Sequence, residues 1–273
     1  VKADFLLIFI VRYFDDNCIN DDLEDKIFGH VKCSAFFPSE RRLGREAMSI
    51  NREKYNEILK RFDGKATLVA VSKTKPVEDI QALYDLGQRD FGENYVQELV
   101  DKYEQLPKDI NWHFIGHLQS NKVKYIAPFV HLIHGVDSEK LLKEINKQGT
   151  KLNRTIPCLL QVHIAAEETK FGFDADELDN LIDKIKTSEM DFKNVAVKGL
   201  MGMASFTEDN DLIKREFAFL KELFDKYAQP STINYQLSTL SMGMSADFKF
   251  ALDAGSNMVR IGSMLFGSRI YNS

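Results

Sequence analysis

A lysine that closes a short apolar strand is placed to act as a nucleophile. Lys73 follows Leu68-Val69-Ala70-Val71 almost directly, and Lys75 stands two residues on. Partial burial and a neighbouring cation both disfavour the charged form of an amine, which frees its lone pair to attack an aldehyde. A lone lysine in such a place is more often a solvated loop residue, so the rest of the chain must carry the case. Far downstream, Ser238-Thr239-Leu240-Ser241-Met242-Gly243-Met244-Ser245 and Val259-Arg260-Ile261-Gly262-Ser263 supply hydroxyls, glycine-exposed N–H groups and one arginine. Those are the donor types a phosphate dianion needs. Together the two regions describe a ligand with an aldehyde at one end and a phosphate at the other. Pyridoxal phosphate held as a lysine Schiff base fits that description. A phosphosugar bound by a Schiff-base aldolase fits it too, and spacing alone does not separate them.

Such groups meet only if the fold brings both ends of the chain together. Short apolar, β-branched runs at 67–71, 89–91, 112–115, 131–136, 156–164, 196–201, 233–237 and 258–261 predict eight strands. Amphipathic segments at 77–86, 96–106, 138–147, 175–186 and 212–227 predict helices between them, several opened by Asp, Ser or Pro76. Alternation of this kind predicts an α/β protein with a parallel sheet, and eight strands favour closure into a single (β/α)8 barrel. An open doubly wound sheet is the second choice, disfavoured because no Gly-x-Gly-x-x-Gly turn follows the first strand. Either way the chemistry belongs at the C-terminal ends of the strands.

Before the first strand the text is mixed. Residues 1–47 show no period, whereas Ser49 can cap an extra N-terminal helix carrying Tyr55, Ile58, Leu59 and Phe62, stopped by Asp63-Gly64. The expectation is a functional barrel over 48–273, its natural start at Met48, and an N-terminal extension over 1–47 with no role in the site. The apolar run Phe5 to Val11 is too short to cross a membrane, for which roughly 20 residues are needed. It makes a poor signal peptide. A net charge of −5 argues against a general nucleic-acid partner. Cys18, Cys33 and Cys158 are few, odd in number and far apart, which predicts neither disulfides nor a metal site and fits a cytoplasmic protein. Cys158, inside an apolar run, reads as a small buried hydrophobe.

At the strand ends the chain resembles the pyridoxal phosphate homeostasis proteins, also called the YggS or PROSC family. The resemblance runs from about Leu68 to Tyr271. It rests on Ala70-Val71-Ser72-Lys73-Thr74-Lys75-Pro76; Phe91-Gly92-Glu93-Asn94-Tyr95-Val96-Gln97-Glu98; Trp112-His113-Phe114-Ile115-Gly116 with Leu118-Gln119-Ser120-Asn121-Lys122; Gly199-Leu200-Met201; Leu240 to Ser245; and Val259-Arg260-Ile261-Gly262. It implies a barrel of the alanine racemase N-terminal type that binds pyridoxal phosphate. Carried over by position, Lys73 is the Schiff-base lysine, with Asn94 and His113 lining the cofactor site. Ser241, Arg260 and Gly262 match phosphate-binding positions, Met201 and Met244 lie beside the ring, and Lys170 matches a secondary or transfer lysine. Two positions depart. His117 stands where many members have Pro, and Asn257 where Thr is common, a change expected to alter one hydrogen bond near the phosphate.

The family resemblance implies a cofactor carrier that buffers pyridoxal phosphate, passes it to apo-enzymes and affects amino-acid and keto-acid pools indirectly. A racemase needs a second acid/base on the far face of the substrate carbon. In alanine racemase a further domain helps to supply it, and here the text stops soon after the eighth strand. An open cofactor face suits holding and passing on, and suits catalysis poorly. No robust enzymatic activity is expected, and a monomer is. The alternatives are a low-activity racemase or lyase with His113 or Tyr95 as proton carrier, and the Schiff-base aldolase.

Overall fold

The computed structural model describes residues 50–167, 171–187, 192–228 and 237–267, all within the compact unit Glu46–Ser273. Helix α1, Arg52–Phe62, comes first. Ser49 lies outside the described residues; Asn51 caps the helix, its side chain accepting from the Lys54 N–H. Asp63 ends α1 in the left-handed region (φ 48°). The Asn51 N–H donates to the Leu265 carbonyl at 2.7 Å, which ties the start of α1 to the last helix of the barrel.

Then comes the expected alternation. The strands are β1 Thr67–Val71, β2 Asp90–Glu93, β3 Asn111–Phe114, β4 Leu132–Val136, β5 Ile156–Gln161, β6 Val195–Met201, β7 Thr239–Ser241 and β8 Met258–Ile261. The helices between and after them are α2 Val77–Asp85, α3 Val96–Gln105, α4 Val123–Ile126, α5 Glu139–Leu152, α6 Ala175–Lys186, α7 Asn210–Ala228, α8 Phe248–Asp253 and α9 Ser263–Phe266. All eight strands pair in parallel and the sheet closes, with Leu68 opposite Val259 and Ala70 opposite Ile261 where β1 meets β8. Among the described residues no helix is long and apolar enough to cross a membrane.

The seventh strand differs from expectation. Of the predicted run 233–237 only Leu237 is described, and it lies outside any strand; β7 is Thr239–Ser241. Pairing decides its place, since Gly199, Leu200 and Met201 of β6 register with Thr239, Leu240 and Ser241. The backbones there are too close for a side chain, because a Cβ on Gly199 would stand 1.7 Å from the Thr239 carbonyl oxygen.

Helix faces and strand faces bury one core, including Ile80, Leu83, Leu99, Val123, Leu142, Leu178, Phe217 and Leu220 from the helices and Phe91, Phe114 and Ile133 from the strands. Cys158 is fully buried within it, as its apolar run predicts, and burial pushes its thiol up to about 12. Inside the barrel the filling is partly polar. His113, His134, Gln161, Ser241 and Arg260 are all buried, beside the apolar cluster of Leu132, Leu159 and Met201. Branched aliphatic side chains dominate most such barrels, so these polar groups need partners of their own.

Candidate functional site

Past Val71 the chain turns at once. The Ser72 N–H donates to Gly92 O and the Lys75 N–H to Ser72 O, both at 3.0 Å, so a tight turn sits on the end of the sheet. Lys73 occupies its second position, half-buried. Thr74, the third, takes φ 63°, a conformation disfavoured for a β-branched residue. Its N–H donates to Glu98 Oε1 at 2.6 Å, which offsets part of that cost.

Under the turn lies a buried charge cluster. The Lys102 ammonium donates to Ser72 O (2.8 Å), Glu93 Oε1 (2.8 Å) and Glu98 Oε1 (2.7 Å), using all three of its protons. Ser72 Oγ donates to the same Glu93 oxygen at 2.6 Å. Glu93 is fully buried, and its other oxygen has no hydrogen-bond partner among the described residues. Burial pushes its carboxyl up to about 7, with Lys102 pulling the other way. The sequence singles out Asn94 and Tyr95 from this motif, yet their neighbours Glu93 and Glu98 fix the turn that presents Lys73.

Arg260 rises from β8 into the barrel. It donates to Ser241 O (2.9 Å), Ser241 Oγ (2.6 Å) and Gly202 O (2.9 Å), so its guanidinium is held on both sides. It is buried, and burial pulls it down to about 10, still charged at neutral pH. The loop after β7 passes close by because Gly243 (φ 96°) leaves no room for a side chain; a Cβ there would lie 2.6 Å from that of Ala251. Loop and strand then join, the Arg260 N–H donating to Gly243 O at 3.0 Å.

These elements enclose a cavity of about 390 Å³ at the C-terminal mouth of the barrel, within the range of about 300–1,000 Å³ usual for small-molecule sites. Five of the sequence-predicted residues line it: Lys73, Asn94, Met244, Arg260 and Gly262. Asn94 Oδ1 is buried there with no partner among the described residues. Lys75, Ile115, Met203, Phe206, Ser245 and Ser263 line it as well. Ser245 and Ser263 were present in the two loops that suggested a phosphate. Phe206, 95% exposed at the rim, carries no signal in the text.

Three predicted residues lie elsewhere. His113 is fully buried in the barrel, its Nε2 3.0 Å from Asp90 Oδ1 and its Nδ1 2.9 Å from His134 Nε2. It does not line the cavity because it stands a layer below the strand ends. Ser241 is likewise sealed in, held by Arg260 and by His134 Nδ1 at 3.1 Å, so its hydroxyl supports the arginine instead of facing the cavity. Full burial keeps His134 well below the ordinary histidine range, hence neutral. Met201 packs with Leu132 and Leu159 in the barrel interior. Asn257 also departs from expectation. It precedes β8 at the opposite end, where it accepts from the Leu240 N–H (2.8 Å) and donates to Ser238 O (2.7 Å), far from any phosphate at the mouth. His117 stacks on Phe171 with ring centres 4.2 Å apart and meets Asp137 Oδ2 at 2.9 Å. Lys170 lies outside the described residues.

Residues 48–270 match the family described as alanine racemase, N-terminal domain. The pyridoxal phosphate homeostasis protein of Aquifex aeolicus is 42% identical over 207 residues, covering 76% of this chain and 88% of that one. The chain belongs to the pyridoxal phosphate homeostasis protein family. The family extends to eukaryotes, for its member in Schizosaccharomyces pombe is 39% identical over 205 residues, 74% of this chain and 84% of that one. PipY of Synechococcus elongatus PCC7942, solved with PLP bound, shares the fold at a TM-score of 0.72 and 30% identity, over 81% of this chain and all of that one. Alanine racemase from Bartonella henselae, at 18% identity and a TM-score of 0.59, shares the barrel over 56% of its length.

Proposed function

We propose that this chain binds pyridoxal phosphate in the mouth cavity through Lys73, and that its task is to hold the cofactor and pass it on. One observation carries the reading: Lys73, in the turn after β1, lines the same cavity as Arg260 on β8 and as Gly262 and Ser263 just beyond that strand. The donor set fits the group. Lys73 brings an amine, Arg260 a fixed positive charge from the floor, and Ser245, Ser263 and the main chain at Gly262 bring neutral donors. Asn94 brings a buried oxygen that has no partner among the described residues. When bound, the cofactor supplies an aldehyde that condenses with a lysine amine. The protein's own part is to aim that amine, which the Lys102–Ser72 contact under the turn does, and to keep Arg260 charged and oriented through Ser241 and Gly202. The PLP-bound structure of PipY supports the same reading.

Holding is favoured over turnover because neither proton carrier named from the sequence stands at the cavity. His113 is sealed in the barrel, and Tyr95, 61% exposed, does not line the site. The relatives bear the name of homeostasis proteins. Apo-enzymes that use the cofactor are the recipients in this reading, a cytoplasmic setting suits it, and a monomer suffices for it.

The purified protein should show visible absorption that is lost in Lys73→Ala. Borohydride should fix the cofactor, and peptide mapping should find it on Lys73. A colourless protein, or label on another lysine, overturns the assignment. Racemisation of several amino acids at ordinary enzymatic rates would overturn the carrier role while leaving the binding site intact.

A further inference from the structure

The opposite end of the barrel holds a second group of chemically able side chains. Asp90 opens β2, His113 is the third residue of β3, and His131 lies one residue before β4. The three strands are neighbours, with Asp90 in register with Asn111 and His113 with Leu132, and the His131 N–H bonded to Trp112 O at 2.8 Å. One nitrogen or oxygen of each side chain lies within 4.8 Å of the others. We propose that Asp90, His113 and His131 form a binding site for a divalent transition metal, with zinc the ion best suited to it.

Two imidazoles and one carboxylate make a donor set typical of zinc, and three protein ligands leave a position for water. Spacing agrees. Asp90 Oδ1 and His113 Nε2 are 3.0 Å apart, close to the separation of about 3.3 Å between two ligands of a tetrahedral site with bonds of about 2.0 Å. The third ligand atom, on the exposed His131, lies within 4.8 Å of both.

The surroundings are those of a built site. A metal-bound histidine is usually oriented by a partner on its other ring nitrogen, and His113 Nδ1 has one in His134 Nε2 at 2.9 Å. The carboxylate is held too, Asn111 Nδ2 donating to Asp90 Oδ1 at 3.3 Å. His131 makes no side-chain hydrogen bond among the described residues, although its ring packs 5.3 Å from that of His113. Burial falls stepwise from His113 through Asp90 to His131, giving an ion a path in from solvent. Cysteine spacing in the sequence argued against metal. The ligands instead come from β2, β3 and the residue before β4, which no linear motif displays.

The test uses the full-length protein, freed of metal by chelation and titrated with zinc by calorimetry, with cobalt as an optical probe. One ion per chain should bind at micromolar zinc and raise the melting temperature. Cobalt should give the visible bands of a four-coordinate site. His131→Ala changes an exposed side chain and should leave the metal-free melting temperature unchanged while weakening zinc binding at least about tenfold; Asp90→Asn should weaken zinc binding by a similar factor. Lys73→Ala should bind zinc normally, and His131→Ala should still take borohydride label at Lys73, so failure here is distinguishable from failure of the cofactor assignment. Absence of binding, or binding that survives both His131→Ala and Asp90→Asn, overturns the proposal.

Discussion

Lys102 Nζ lies 2.8 Å from the main-chain oxygen of Ser72, the residue immediately before Lys73. A side chain on α3 therefore props up the turn at the end of β1, and the same ammonium neutralises Glu93 at the end of β2.

Removing one partner of a buried ion pair leaves the other charge uncompensated and costs about 3–5 kcal/mol. Lys102→Met should lower stability by that amount in urea unfolding at pH 8. Lys102→Met combined with Glu93→Gln should lose clearly less than the sum of the two single changes. Additive losses would show that the two side chains do not act as a pair.

The Glu93 carboxyl has a raised folded-state value, about 7 against 4.5. Between those values the folded chain binds more protons than the unfolded chain, so stability falls as pH rises. The contribution is fully present below about 4.5 and is lost as pH passes through about 7. Denaturant unfolding from pH 5 to pH 8 should show that decline, and Glu93→Gln should flatten it. A variant with an unchanged slope would place the titration elsewhere.

The two serines should separate support from contact. Ser241→Ala removes the hydroxyl between Arg260 and His134, and should cost about 1–3 kcal/mol of stability as buried donors lose a partner. Ser245→Ala, at the cavity wall, should leave stability nearly unchanged and weaken pyridoxal phosphate binding roughly 2- to 10-fold. Spectroscopic titration beside thermal unfolding measures both.

Gly199→Ala should be among the most damaging single changes. The added carbon would meet the Thr239 carbonyl, which belongs to the pairing of β6 with β7 and has no way to yield locally. We expect a loss of more than about 3 kcal/mol, or no soluble protein. Near-normal unfolding would contradict the register of that pair.

Seven strands were legible because each carries an apolar run long enough to stand out. β7 was not, because it is three residues long and only Leu240 is a large apolar residue; partners on β6 define it. At the site, the strand ends were readable and the depth of each side chain was not. Lys73 and Gly262 lie in the turns beyond their strands and reach the cavity. His113 and Ser241 lie within theirs, and alternation around a barrel sends such residues into its interior layers. The cluster of Ser72, Glu93, Glu98 and Lys102 joins two strand ends and a helix, a relation that spacing along the chain does not display.

Because β1 pairs with β8, the Lys73 and Arg260 sides of the cavity come from the first and last strands of the sheet. During synthesis Lys73 leaves the ribosome early, while Arg260 follows only after nearly the whole barrel has emerged. A partly made chain therefore presents an amine without its counter-wall. Under the proposed function, occupancy of the cavity would mark chains whose barrel is complete.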